Sequence, residues 1–152
     1  LIIIWLLKLS HLMFEFALLL LSLFLLPFIG CSQMSKKLDV IIKNDSLCFF
    51  TNDPKTDYGF KGQLLIYALK FNAVKALKTD FEQIHKNKSQ PIPIKKEDCL
   101  EVSIGKFEKN IVYEVILDTN KTYDSFICLK DANNQIIVKE VKAGQTTCPI
   151  SE

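Results

Sequence analysis

The sequence contains no arginine. All 19 basic residues are lysines, set against 17 acidic ones for a formal net charge of +2. The planar guanidinium fork that grips phosphates and guanine edges is missing, and lysines and acids are interspersed. A nucleic-acid partner is therefore not expected. The doublets Lys36-Lys37 and Lys95-Lys96 read as solvated surface. Histidine is almost as scarce, with His11 and His85 the only two. His85 sits alone in a polar stretch and reads as exposed surface. With 5 glycines there is no Gly-rich phosphate loop. G-x-S-x-G and H-E-x-x-H are absent, so neither a nucleophile–base pair nor a metal cluster is suggested. A glycosidase needs two carboxylates across a cleft, and no spacing of the acids singles out such a pair. No enzymatic activity, cofactor, metal or small-molecule substrate is expected.

What the sequence has is a sharp break in solvent preference. No charge occurs between Glu15 and Lys36, and charges recur every few residues afterwards. The stretch 17–30 interrupts its apolar run only at Ser22, Pro27 and Gly30. It is shorter than the about 20 residues of a membrane span and matches the roughly 7–15 residues of a signal-peptide core. A second apolar piece, "LIIIWLLKLSHL", precedes it and holds the single tryptophan, Trp5. Two start sites are open. Leu1 brings Lys8 into an overlong leader, and Met13 leaves an uncharged "MFEF" ahead of the core.

The leader ends in "PFIGCSQ". This resembles the bacterial lipobox, although Phe28 stands where leucine is usual. The resemblance implies diacylglycerol on the Cys31 thiol, cleavage between Gly30 and Cys31, and acylation of the new amine with palmitate. Several acyl chains at about 0.8 kcal/mol per buried methylene hold a protein on a bilayer. Ser32, rather than aspartate, resembles an outer-membrane address. The expected organisation is a lipoprotein signal peptide over 1–30, a lipidated tether over 31–37 and one domain over 38–152. The expected location is the bacterial envelope, facing the periplasm.

Four cysteines remain: Cys48, Cys99, Cys128 and Cys148. An even number in an exported chain points to two disulfides with three possible connectivities. Zinc is disfavoured because no C-x₂-C pair exists. Chain order alone leans to Cys48–Cys128 with Cys99–Cys148.

Strand signals follow one another through the domain. "LDVIIK" at 38–43 leads through the turn residues Asn44-Asp45-Ser46 to "LCFFT" at 47–51. Residues 52–62 read as a loop. "QLLIYALKF" at 63–71 reads as a strand, with Leu65, Tyr67, Leu69 and Phe71 sharing one face. Stretch 72–86 is open between helix and strand. A polar, proline-bearing connection precedes strands at 99–104, 111–118, 123–130 and 135–143, the last two joined by an Asn-rich turn at 131–134. The expected fold is mainly β, an antiparallel immunoglobulin/fibronectin-like β-sandwich after an N-terminal lipoprotein signal helix. "LDTNKTY", from Leu117 to Tyr123, resembles the spacing of the tyrosine corner in such domains.

The ordered pieces "DSLCFFT", "GFKGQLLIY", "DCLEV" and "NIVYEVILDTNKTYDSFICL" resemble a family of small bacterial lipoproteins described as type VI secretion-associated immunity proteins. The resemblance covers most of residues 31–143. It implies a periplasmic protein that neutralises a toxic effector from a neighbouring cell by stoichiometric binding. The competing expectation is a structural or assembly lipoprotein of the envelope. No motif assigns the partner-binding surface. Tyr58, Phe60 and Tyr67 flank a glycine-containing loop and are either interface anchors or core and edge packing.

Overall fold

The computed structural model describes residues 34–72, 75–86, 89–133 and 135–149, all within a compact unit that begins at Met34. The leader, Gly30 and Cys31 lie outside the described residues. The strands are β1 (Lys36–Lys37), β2 (Asp39–Lys43), β3 (Ser46–Phe50), β4 (Leu64–Asn72), β5 (Lys75–His85), β6 (Leu100–Ser103), β7 (Val112–Asp118), β8 (Thr122–Ala132) and β9 (Gln135–Glu140). They form two sheets. The small one runs β2-β3-β6, and the large one runs β1-β8-β7-β4-β5, with β9 also paired to β8. Pairing is antiparallel throughout except for β1, which lies parallel to β8. The expected tether thus ends inside the sheet, because Lys36 pairs with Tyr123 and Lys37 with Asp124. Stretch 72–86, open between helix and strand, carries β5, which brings Phe81 opposite Ala68.

Apolar side chains from both sheets make one core. Leu47, Phe49, Leu100 and Val102 come from the small sheet, and Leu64, Ile66, Ala68, Val115, Leu117, Ile127 and Leu129 from the large one. Alternation along each strand sends every second residue inward. In β4 the inward set is Leu64, Ile66 and Ala68, all fully buried. Leu65, Tyr67, Leu69 and Phe71 do share one face, as expected, and it is the outer one. Both faces of β4 are apolar. Leu65, Tyr67, Leu69 and Phe71 are half-buried on the outer face.

Asparagine makes the sharp reversals. Asn44, Asn52, Asn110 and Asn133 all have positive φ, a region Asn tolerates better than most residues. Lys43 pairs with Ser46 and Ala132 with Gln135, so both predicted Asn turns close two-residue hairpins.

Two expectations are corrected. Leu117 and Tyr123 are directly paired across the β7–β8 hairpin, so they cannot form a corner between sheets. Tyr113, at the start of β7, follows Phe107 at the same spacing. The Glu108 N–H donates to the Tyr113 hydroxyl at 3.0 Å, tying the β6–β7 connection to the strand it enters. Phe107 packs edge-on against the Tyr113 ring, with centroids 5.2 Å apart. The disulfides are Cys48–Cys99 and Cys128–Cys148, with Cα separations of 5.3 and 5.9 Å. Cys48 faces outward from the small sheet and Cys128 outward from the large one. The whole core lies between them, a separation that chain order could not reveal.

Candidate binding surface

The strand registers map the outer face of the large sheet row by row. Residues directly opposite in antiparallel strands share a face. The first row is Ile84, Leu65, Asp118 and Thr122. The second is Glu82, Tyr67, Ile116 and Asp124, and the third is Thr79, Leu69, Glu114 and Phe126. A fourth row, Phe71, Val112 and Cys128, carries the disulfide to Cys148, which brings the C-terminal segment onto this end of the face. Val112 is fully buried there, and the Phe71 and Phe126 rings meet at 5.7 Å. The first three rows are partly accessible, with Ile116 buried in the second. Ile84 is 45% exposed, and Leu65, Tyr67, Leu69, Glu114 and Phe126 are half-buried.

This apolar floor carries carboxylates and few cations. Burial first, and then the Asp118, Glu114 and Glu82 carboxylates, push the Tyr67 hydroxyl above its usual range. Burial, followed by the Asp124 carboxylate, likewise pushes Glu114 above the ordinary carboxylate range. Among the described residues no lysine pairs with Glu82 or Glu114. Lys37, beside Asp124, is engaged by Asp39 and Glu140. Glu114 and its acidic neighbours carried no signal in the sequence beyond a charge at an outward position of the apolar run "IVYEVILD".

At the end of the sheets where β4 and β8 begin, loop 51–63 is held against the β7–β8 turn. The Asp57 N–H donates to Asn120 Oδ1 at 2.9 Å, and the Asn120 N–H returns a bond to the Asp57 carbonyl at 3.0 Å. Gly59 is required by close approach, since a Cβ there would stand 2.8 Å from the Thr119 carbonyl oxygen. Asp53 is the hub. Its carboxylate takes Lys36 at 2.7 Å, Lys121 at 3.0 Å and the Tyr123 hydroxyl at 3.0 Å, and its other oxygen takes the Lys55 N–H at 2.9 Å. Lys36 first, then the Lys55 N–H and Lys121, hold this carboxyl far below the usual range. The Tyr123 hydroxyl also lies 2.9 Å from Thr56 Oγ1. The hub joins the N-terminal strand, the loop and the turn, which is structural work.

The three aromatics of the sequence reading separate. Tyr58 packs against the core and donates its hydroxyl to the Gln90 carbonyl at 2.7 Å. Tyr67 stands on the open sheet face. Phe60 is 86% exposed at the loop tip.

His85 is half-buried rather than solvated, and burial pushes its pKa below the usual value. It lines a cleft of about 350 Å³ together with Gln83, Lys43, Glu97, Asp98 and Glu101. Its Nε2 meets the Gln83 amide at 3.0 Å, so the ring is oriented by an amide rather than by a carboxylate or a nucleophile. Among the described residues no group of three or more His, Cys, Asp or Glu is placed to hold a metal. Comparison with protein-family models, curated proteins and solved structures finds no match.

Proposed function

We propose that this chain is a non-catalytic envelope lipoprotein whose domain is an immunoglobulin/fibronectin-like sandwich. In this reading it is anchored through Cys31 and neutralises a type VI secretion effector in the periplasm by binding it. The strand order supports the fold part of the reading. In such domains strands A-B-E form one sheet and G-F-C-C′ the other. The orders β2-β3-β6 and β8-β7-β4-β5 match them, and Tyr113 occupies the corner position at the start of the sixth of these strands.

One observation carries the binding part: a sheet face that combines apolar side chains with a half-buried carboxylate, Glu114, to which no lysine pairs among the described residues. Apolar patches rimmed by polar groups mark interaction sites. A charge left without compensation among the described residues is a local inconsistency of the kind that functional surfaces retain. A partner bringing a lysine or arginine flanked by apolar side chains would satisfy both features, with the charges setting specificity and encounter rate.

The reading is tested by capturing a partner from membranes with the full-length protein tagged at its C-terminus, then co-expressing that partner with it in the periplasm. Full-length protein is expected to restore growth, and the Glu114→Lys variant to fail. Growth arrest regardless of the wild-type protein, with co-purification of envelope-assembly components instead, would replace immunity with the structural reading.

A further inference from the structure

The lipid anchor and the fold together restrict which end of the domain meets the bilayer. This inference rests on the lipid-anchor reading above. Cys31 precedes Met34 by three residues and Lys36, the first residue in the sheet, by five. A chain spans at most about 3.6 Å per residue, so Lys36 lies within roughly 18 Å of an acylated Cys31. Lys36 is bonded to Asp53 of loop 51–63, and Ser35 donates to Asp124 at 2.6 Å. The short tether therefore leaves the domain at the end formed by this loop and the β7–β8 turn.

That end also displays the most exposed large apolar side chains of the described residues. Met34 is 88% exposed and Phe60 86%, whereas Ile42, near the β2–β3 turn at the opposite end, is 36% exposed. The display is built rather than loose. The Gly59 N–H donates to the Gln63 carbonyl at 2.9 Å, and the Gly62 N–H to the Gly59 carbonyl at 3.0 Å. Lys61 is held in the left-handed region at φ 67, an uncommon conformation for lysine, with its ammonium 5.9 Å from the Phe60 ring centre. An aromatic ring projecting beside a flexible cationic side chain is the composition of membrane-interface anchors, the ring at headgroup level and the ammonium snorkelling to water and phosphate.

We propose that the loop end bearing Phe60, Lys61 and Met34 seats on the lipid surface that holds the Cys31 anchor. The Phe60 ring lies at the acyl boundary and the Lys61 ammonium among lipid phosphates. The domain then has a fixed orientation, and the outer face of the large sheet stands clear of the bilayer for a partner.

The only tryptophan, Trp5, precedes the cleavage site, so a chain beginning at Cys31 has none and an introduced one reports alone. Full-length precursors carrying Phe60→Trp or Ile42→Trp are matured in cells. The products are reconstituted in vesicles of phosphatidylethanolamine and phosphatidylglycerol, with or without bromine on the acyl chains. Both positions are exposed, so either variant keeps the fold. Emission from the Phe60→Trp protein should fall at least about twofold on brominated lipid while the Ile42→Trp protein is unchanged, as expected for a ring at the interface. Equal emission on both lipids for the Phe60→Trp protein, with acylation intact by mass, overturns the loop placement and leaves the anchor standing. A mature mass without diacylglycerol overturns the anchor, and the loop placement with it.

Discussion

The two disulfides close loops of very different kinds, and their removal separates the chain-entropy effect from native-state relaxation. Cys48–Cys99 spans 51 residues and Cys128–Cys148 spans 20. The loop-closure relation assigns about 4.1 kcal/mol to the first and about 3.3 kcal/mol to the second through the unfolded state. The folded state alters this comparison. Cys48 is fully buried and Cys99 8% exposed, with β3 and β6 paired beside them. When this bond is removed the sheet still constrains the segment, so nearly the full loss is felt. Among the described residues, 142–149 belong to no strand, and cutting Cys128–Cys148 loosens them in the folded state too, which offsets much of the loss. The Cys48→Ala/Cys99→Ala protein is therefore expected to lose about 4 kcal/mol, and the Cys128→Ala/Cys148→Ala protein about 1 kcal/mol. At roughly 3–5 °C per kcal/mol for a domain of this size, Tm falls by about 12–20 °C in the first case and about 3–5 °C in the second. Thermal unfolding of the full chain in detergent, followed by circular dichroism, reads both. Equal losses, a reversed order, or a non-reducing peptide map showing Cys48 joined to Cys128 would refute the reasoning.

Tyr113→Phe removes the acceptor of the Glu108 N–H from a part-buried hydrogen bond. It should cost about 0.5–1.5 kcal/mol in chemical denaturation, and a loss below about 0.3 kcal/mol would show that this bond does not hold the β6–β7 connection. Asp53 has a depressed folded-state pKa, so its contribution is present above the ordinary carboxylate range near 3.8 and is lost as pH falls through and below it. Asp53→Asn should lower stability at pH 7 and flatten the acid limb of the stability profile; an unchanged acid limb would show that the hub is not what titrates. Glu114 has a raised folded-state pKa, so its ionised form opposes folding above the carboxylate range. Glu114→Gln should raise Tm at pH 7 by less than about 1 kcal/mol equivalent after allowing for partial solvent contact, with the gain shrinking as pH approaches 4. A fall in Tm would make Glu114 a structural residue.

Strands and turns were legible because their signals are local. Val- and Ile-rich runs gave β2, β7 and β9, and Asn44 and Asn133 marked hairpins whose φ values need such residues. Where the sequence misled, the deciding contact was long-range. Two tyrosines stand at the same spacing behind a large apolar residue, Leu117–Tyr123 and Phe107–Tyr113. Only the second spans a change of sheet, between β6 and β7, and there the tyrosine hydroxyl takes the Glu108 N–H. Four cysteines offered three pairings; the opposite sides on which Cys48 and Cys128 project exclude one, and the Cα separations of 5.3 and 5.9 Å in Cys48–Cys99 and Cys128–Cys148 select between the other two. The face of β4 was ambiguous because both sets are apolar; the smaller Ala68 belongs to the buried set, opposite Phe81. The open surface around Glu114 arises from four strands in register, which no local window contains.

In the proposed function one partner binds the outer face of the large sheet with one-to-one stoichiometry. The most direct test is calorimetric titration of the full-length protein in detergent with the purified partner captured from membranes, comparing wild type with Glu114→Lys and with Lys96→Glu, a substitution on the connection before β6. The account predicts one-to-one binding by wild type and Lys96→Glu, and at least about tenfold weaker binding by Glu114→Lys, since an opposed charge at a half-buried contact costs more than 1.4 kcal/mol. Absence of heat with wild type, or equal affinities for all three proteins, would contradict it.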